Sequence, residues 1–287
     1  RTTDALKGRH MYRILAAIDG LSNSEAAVDA AIWAAQRSGA ALEFLHVLER
    51  HPETARVTDF SGAIGAGAQE SLLEVLSDDD AQRSRVAREN GRALLAAARE
   101  RAGAAGLAAA DGRLRHGEVI DTVTELGVGA GLLVLGEHEH DDPGTARKRH
   151  LDHQVERLIR AVGCPVLVAT GPVFAPPRRV ALAYDGSPEA QRTLVAAATH
   201  PLLLGLPLTV VTVQAAGASA PQPLPGAPAA TVLSGDPHAA IAAFVRDAGI
   251  ELLVIGASRK NLLQRLLKGS TTSSLLRTSD AAVLVLR

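Results

Sequence analysis

Apolar runs of five or six residues alternate with longer amphipathic stretches along almost the whole chain. That alternation predicts βαβ units around a parallel sheet buried on both faces. In the C-terminal half it predicts strands near 179–184, 208–213, 230–233, 251–255 and 282–286, with helices near 188–200, 237–248 and 269–278. Pro188 and Pro237 suit first helical turns, where no N–H is needed, and Ser187 and Asp236 stand ready as caps.

The same pattern is written twice. Arg13-Ile-Leu-Ala-Ala-Ile-Asp19-Gly20 returns as Arg179-Val-Ala-Leu-Ala-Tyr-Asp185-Gly186, and the run ending at Val47 returns as the run ending at Val213, both at an offset of 166 residues. Leu132-Leu-Val-Leu-Gly136 returns as Leu252-Leu-Val-Ile-Gly256, and Pro165-Val-Leu-Val-Ala169 as Ala282-Val-Leu-Val-Leu286. This is an internal duplication. It predicts two tandem doubly wound, Rossmann-like domains of flavodoxin size, each with a five-stranded, mainly parallel sheet, over residues 11–171 and 178–287. The boundary falls at Thr170-Gly-Pro-Val-Phe-Ala-Pro-Pro, a short stiff linker that predicts packed halves. Residues 1–10 precede the only methionine, Met11, and are left out of the fold as a leader or added segment.

The repeats differ in length. The offset falls to 118 where His116-Gly117-Glu118 matches Ser234-Gly235-Asp236, so the first repeat carries 48 extra residues within about 50–110. The part around Phe60–Gly67 reads as a flexible loop, and Asp80 to Ala105 as a charged surface helix. Gln214 to Pro228, rich in Ala, Pro and Gly, reads as a surface loop of the second repeat.

Composition narrows the function classes. Aromatics make up only 2%, so the core must be built from Ala, Val, Leu and Ile. The formal net charge of −1, with acids and bases mixed, gives no field to recruit nucleic acid or a membrane surface. A single cysteine, Cys164, excludes an intramolecular disulfide and is expected to be buried packing; with no apolar run of membrane length, a cytoplasmic protein is expected.

The strongest chemical signal is at the C-terminal end. A buried strand ends at Gly256, a basic loop with Arg259, Lys260, Arg265 and Lys268 follows, and Gly269-Ser270-Thr271 opens a helix. Glycine lets backbone approach a ligand, free amides at a helix start point at anions, and hydroxyls add neutral donors. This segment resembles the universal stress protein family, whose ATP-binding members end strand four with Gly-x-x-Gly-x9-Gly-Ser/Thr. Gly256, Gly269 and Ser270 match at the family's spacing; the second glycine is replaced by Arg259, a side chain able to donate to phosphate oxygens.

The resemblance covers both repeats outside the insert. It implies that Asp185 and Gly186 flank a nucleoside, that Val213 lies under the base, and that Ser270 with Thr271 takes phosphate. It also implies an internal pseudo-dimer joined through the last strands, Val166–Val168 and Val283–Leu286. The implied function is regulatory: ATP, with or without Mg2+, sets a state that an unidentified protein partner senses. Two alternatives stand beside it. One is a nucleotide-free interaction module, for which Arg259 argues; the other is a slow ATP hydrolase or self-phosphorylating protein using Ser270 or Thr271 with Asp185 as base.

The first repeat departs from the motif. Gly136 is followed by Glu137-His138-Glu139-His140-Asp141-Asp142, and its last helix is expected to begin near Asp152-His153. An acidic loop there would repel phosphate, so this repeat is expected to bind ATP weakly or not at all. The His and Asp residues from His138 to His153 have no recognised metal-ligand spacing, and no metal site is assigned. No Gly-x-Ser-x-Gly, no full Walker sequence, no Gly-x-Gly-x-x-Gly after the first strand and no partnered nucleophile is present.

Overall fold

The computed structural model describes residues 13–21, 23–49, 66–137, 153–214, 229–256 and 281–287. The first repeat runs β1 (Arg13–Ala17), α1 (Ser24–Ser38), β2 (Ala41–Leu48), α2 (Ala66–Ala104), β3 (Asp111–His116), α3 (Val119–Gly127), β4 (Leu132–Gly136), α4 (His153–Ala161) and β5 (Val166–Ala169). The second runs β6 (Val180–Ala183), α5 (Pro188–Thr199), β7 (Leu208–Gln214), β8 (Ala230–Ser234), α6 (Pro237–Asp247), β9 (Leu252–Gly256) and β10 (Ala282–Leu286).

Ten strands form one sheet in the order β3-β2-β1-β4-β5-β10-β9-β6-β7-β8. Each repeat contributes five strands that are parallel among themselves, and the junction between β5 and β10 is antiparallel. The doubly wound fold is as the apolar pattern predicts, and the pairing through the last strands is as the family resemblance implies. β4, β5, β9 and β10 are buried at every position, as strands covered on both faces require.

The helices divide between the two faces of the sheet. α1, α2 and α5 cover one face, with Ala27, Ala31, Leu95, Ala98, Ala190 and Leu194 in a core that continues through both repeats. α3, α4 and α6 cover the other, with Val123, Leu158 and Val245 among its members.

Further contacts tie the repeats together. The rings of Trp33 on α1 and Phe174 in the linker stand 5.6 Å apart at 51°. Arg37 Nε donates to Leu202 O at 2.7 Å, Thr170 Oγ1 donates to Ala281 O at 2.8 Å, and Arg287 donates to Ile159 O. The packed halves expected from the stiff linker are therefore observed.

The insert is helical over more of its length than its composition predicts. Helix α2 begins at Ala66, well before Asp80, so the end of the glycine-rich stretch is helical and not loop. Its C-terminal portion packs Leu95, Ala98 and Ala102 into the core, which anchors a helix whose middle, around residues 81–90, is exposed. Residues 60–65 and the loop expected at 215–228 lie outside the described residues. The predicted caps are present: Ala190 N donates to Ser187 Oγ at 3.1 Å, and Ala239 N to Asp236 Oδ1 at 3.0 Å.

Candidate functional site

In the second repeat, β9, β6 and β7 are neighbouring parallel strands, so their carboxyl ends lie on one edge. β6 is where the strand order reverses, the position at which open α/β sheets form a ligand crevice. Asp185 and Gly186 follow β6, Val213 lies near the end of β7, and Gly256 ends β9. Tyr184 N still donates to Val211 O at 2.8 Å beyond the strand, which by register brings Asp185 level with Val213. These four candidates are thus brought together. Arg259, Gly269, Ser270 and Thr271 lie outside the described residues.

Three of the four also have structural duties. Asp185 is exposed and its Oδ1 accepts the Ser187 N–H at 3.0 Å, closing an Asx turn; Gly186 continues that turn at φ +78°. Asp19 makes the same turn in the first repeat, accepting from Leu21 N at 2.9 Å. Gly256 faces Thr193 of α5, and a Cβ placed on Gly256 would collide with the threonine hydroxyl. Close packing of helix on strand therefore requires glycine there whether or not a ligand approaches. That role joins residues far apart in sequence and was not read from it.

In the first repeat the equivalent strand end is tied to the start of its helix by its own residues. Asn23, immediately before α1, donates from Nδ2 to Glu137 O at 2.5 Å, while Glu137 N donates to Ala169 O at 2.9 Å. Asn23 and Glu137 are each only 2% exposed. A buried acidic residue therefore follows Gly136, where the second repeat has Ala257 in sequence.

Sequence reading also missed Thr212, the residue before Val213. Its side chain is buried, and its Oγ1 has no hydrogen-bond partner among the described residues, whereas His46, at the same place in the first repeat, shares a 2.8 Å hydrogen bond between Nδ1 and Ile18 O. The signal available in sequence was the replacement of histidine by threonine at the 166-residue offset. Cys164 is free and buried, and burial raises its thiol pKa, as expected of packing. Of the His- and Asp-rich stretch to which no metal site is assigned, residues 138–152 lie outside the described residues. Helix α4 begins at His153, where the sequence places it.

A doubly wound sheet whose repeats join back to back at their last strands, with a turn-forming aspartate after each first strand, defines a class of tandem α/β proteins. The universal stress protein family model matches residues 11–170 and 226–287, and the chain belongs to that family. A universal stress protein of Synechocystis sp. is 28% identical over 291 residues, spanning 96% of this chain and all of the relative. The crystal structure of a universal stress protein from Archaeoglobus fulgidus DSM 4304 is similar with a TM-score of 0.63 at 17% identity, over 96% of this chain and 98% of its own. A universal-stress-type protein from Pseudomonas aeruginosa follows with a TM-score of 0.58 at 18% identity, over 96% of this chain and 93% of its own. These two likenesses show the fold.

Proposed function

We propose that the protein is an ATP-binding regulator of the stress response. In this reading the second repeat, residues 178–287, holds the nucleotide, and the first, residues 11–171, serves as scaffold or docking surface. The observation that carries the reading is the inequality of the two crevices. In the first, Asn23 and Glu137 are buried, and the asparagine side chain donates to the Glu137 carbonyl; in the second, the equivalents are Glu189, which pairs with Arg192 at 2.9 Å, and Ala257.

Asp185 and Gly186 would flank the nucleoside, Val213 and Gly256 would offer backbone beneath it, and Arg259, Gly269, Ser270 and Thr271 would hold the phosphates. A guanidinium, helix-start amides and hydroxyls form a donor set suited to a polyanion, with Mg2+ accompanying the phosphates. Regulation follows from linkage: a partner that prefers the ATP-bound form must tighten ATP binding by the same factor. No helix among the described residues is long and apolar enough to cross a membrane. Together with the single cysteine, this supports the cytoplasm as the site of action.

Amide hydrogen exchange tests the asymmetry. ATP is expected to protect segments 183–187 and 252–256 while leaving 16–20 and 132–137 unchanged. Equal protection of both sets, or of the first alone, contradicts the assignment.

A further inference from the structure

A second candidate site lies away from the strand ends, where the linker meets the second repeat. A cavity of about 390 Å³ opens there, floored by Phe174, Val245, Ile250 and Ala282 and edged by Arg179 and Glu251. Its volume falls in the range of small-molecule pockets.

The duplication supplies an internal control for Arg179. Its counterpart Arg13 is fully engaged: Nη1 reaches Glu43 at 2.8 Å, the other terminal nitrogen donates to Leu126 O, and Arg113 binds the same carboxylate at 2.6 Å. At the equivalent places the second repeat has Thr209 for Glu43 and Thr231 for Arg113, as the strand registers show. The carboxylate is gone and the arginine remains. Its guanidinium lies over Gly249, where a Cβ would meet Arg179 Cζ at 3.0 Å, and makes no hydrogen bond or ion pair to any described residue.

No other charge among the described residues pairs with the Arg179 guanidinium as Glu43 pairs with Arg13. Glu251 spends Oε2 on the N–H groups of Arg178 at 2.6 Å and Arg179 at 3.0 Å, which, together with the charges of the two arginines, hold its carboxyl below the usual range; it attracts the Arg179 guanidinium without forming an ion pair with it. Arg246 pairs with the exposed Asp247 at 3.1 Å. The lining therefore carries two guanidinium groups against one occupied carboxylate, beside an apolar floor.

We propose that this cavity binds a small organic carboxylate, whose anionic end takes the place at Arg179 that Glu43 fills at Arg13 and whose apolar body lies along Phe174, Val245 and Ala282. The site is independent of the ATP reading, because its residues lie at the linker and the opposite ends of the second repeat's strands.

Phenylacetate is a suitable probe, followed through the backbone amide resonances of the full-length protein. A ligand of that size is expected to bind with a Kd in the millimolar range. Saturable shifts are expected at Gly249, Glu251 and Ala282. Arg179→Gln is expected to weaken binding at least tenfold, while Arg85→Gln, on the exposed part of α2, leaves it unchanged. Arg179 is itself exposed, so its variant is expected to fold, and an unchanged melting curve checks this. Absence of saturable shifts, undiminished shifts in Arg179→Gln, or equal affinity for inorganic phosphate, which lacks the apolar body, overturns the proposal.

Discussion

Leu167 and Leu284 hold the same position in the two repeats, and they pair with each other across the antiparallel β5–β10 junction. On either side Val166 pairs with Val285 and Val168 with Val283, each residue meeting its partner's counterpart, as an isologous two-fold contact requires. The internal axis therefore passes between the two leucines, both fully buried.

Because that axis makes the two leucines equivalent, Leu167→Ala and Leu284→Ala are expected to destabilise by similar amounts, about 3 kcal/mol each. The double variant should depart from additivity, since the two side chains are neighbours. Urea denaturation measures all three. A loss below about 1 kcal/mol in either single variant would show that the junction is not part of the shared core.

The contact of Gly256 with Thr193 predicts a coupled pair. Gly256→Ala is expected to cost about 1–3 kcal/mol by overpacking. In a Thr193→Ala background most of that cost should vanish. A double-mutant cycle with no coupling would instead place the glycine's importance elsewhere.

Much of this architecture was legible in the chain. The strands of the second repeat follow from local apolar runs, and Ser187 and Asp236 cap because capping depends only on the next three residues. The start of α2 at Ala66 was not legible: Gly65 and Gly67 read locally as loop, and the packing that fixes the helix lies some thirty residues on, at Leu95 and Ala98. In the site, the turns at Asp19 and Asp185 were readable from Asp-Gly. The reasons for Gly256 and for the Asn23 to Glu137 hydrogen bond were not, because each depends on a helix meeting a distant strand. Arg13, Glu43 and Arg113 form a cluster only once β1, β2 and β3 lie side by side.

That cluster predicts a difference between the repeats. Glu43 is buried between two guanidinium groups, so Glu43→Gln is expected to destabilise by about 2 kcal/mol. Arg179→Gln, which breaks no ion pair, should stay within about 0.5 kcal/mol of the parent. Equal losses from both variants would contradict the contrast.

His200, in the turn after α5, predicts an acid-side loss of stability. Burial holds its pKa at about 4, and Nε2 has no hydrogen-bond partner among the described residues. The folded protein keeps the ring neutral, while the unfolded chain protonates it near its ordinary pKa of 6.5. Stability is therefore full above pH 6.5 and falls as pH drops towards 4, by about 2–3 kcal/mol in total. Glu251, whose pKa is lowered, adds a loss only below the ordinary carboxylate range. Urea midpoints at pH 7.5 and pH 5 should converge in His200→Asn; an unchanged pH dependence would assign the loss to other groups.

The central claim is that one repeat of the two holds ATP. Calorimetric titration with ATP, with and without magnesium, on the parent chain and on Gly269→Asp, Ser270→Asp tests it most directly. The account predicts about one site per chain in the parent and at least tenfold weaker binding in the variant, because two carboxylates would then face the phosphates. No binding to the parent, or equal binding by both, contradicts it, and the protein would then be a nucleotide-free docking module in which Asp185 and Gly256 serve only turn and packing.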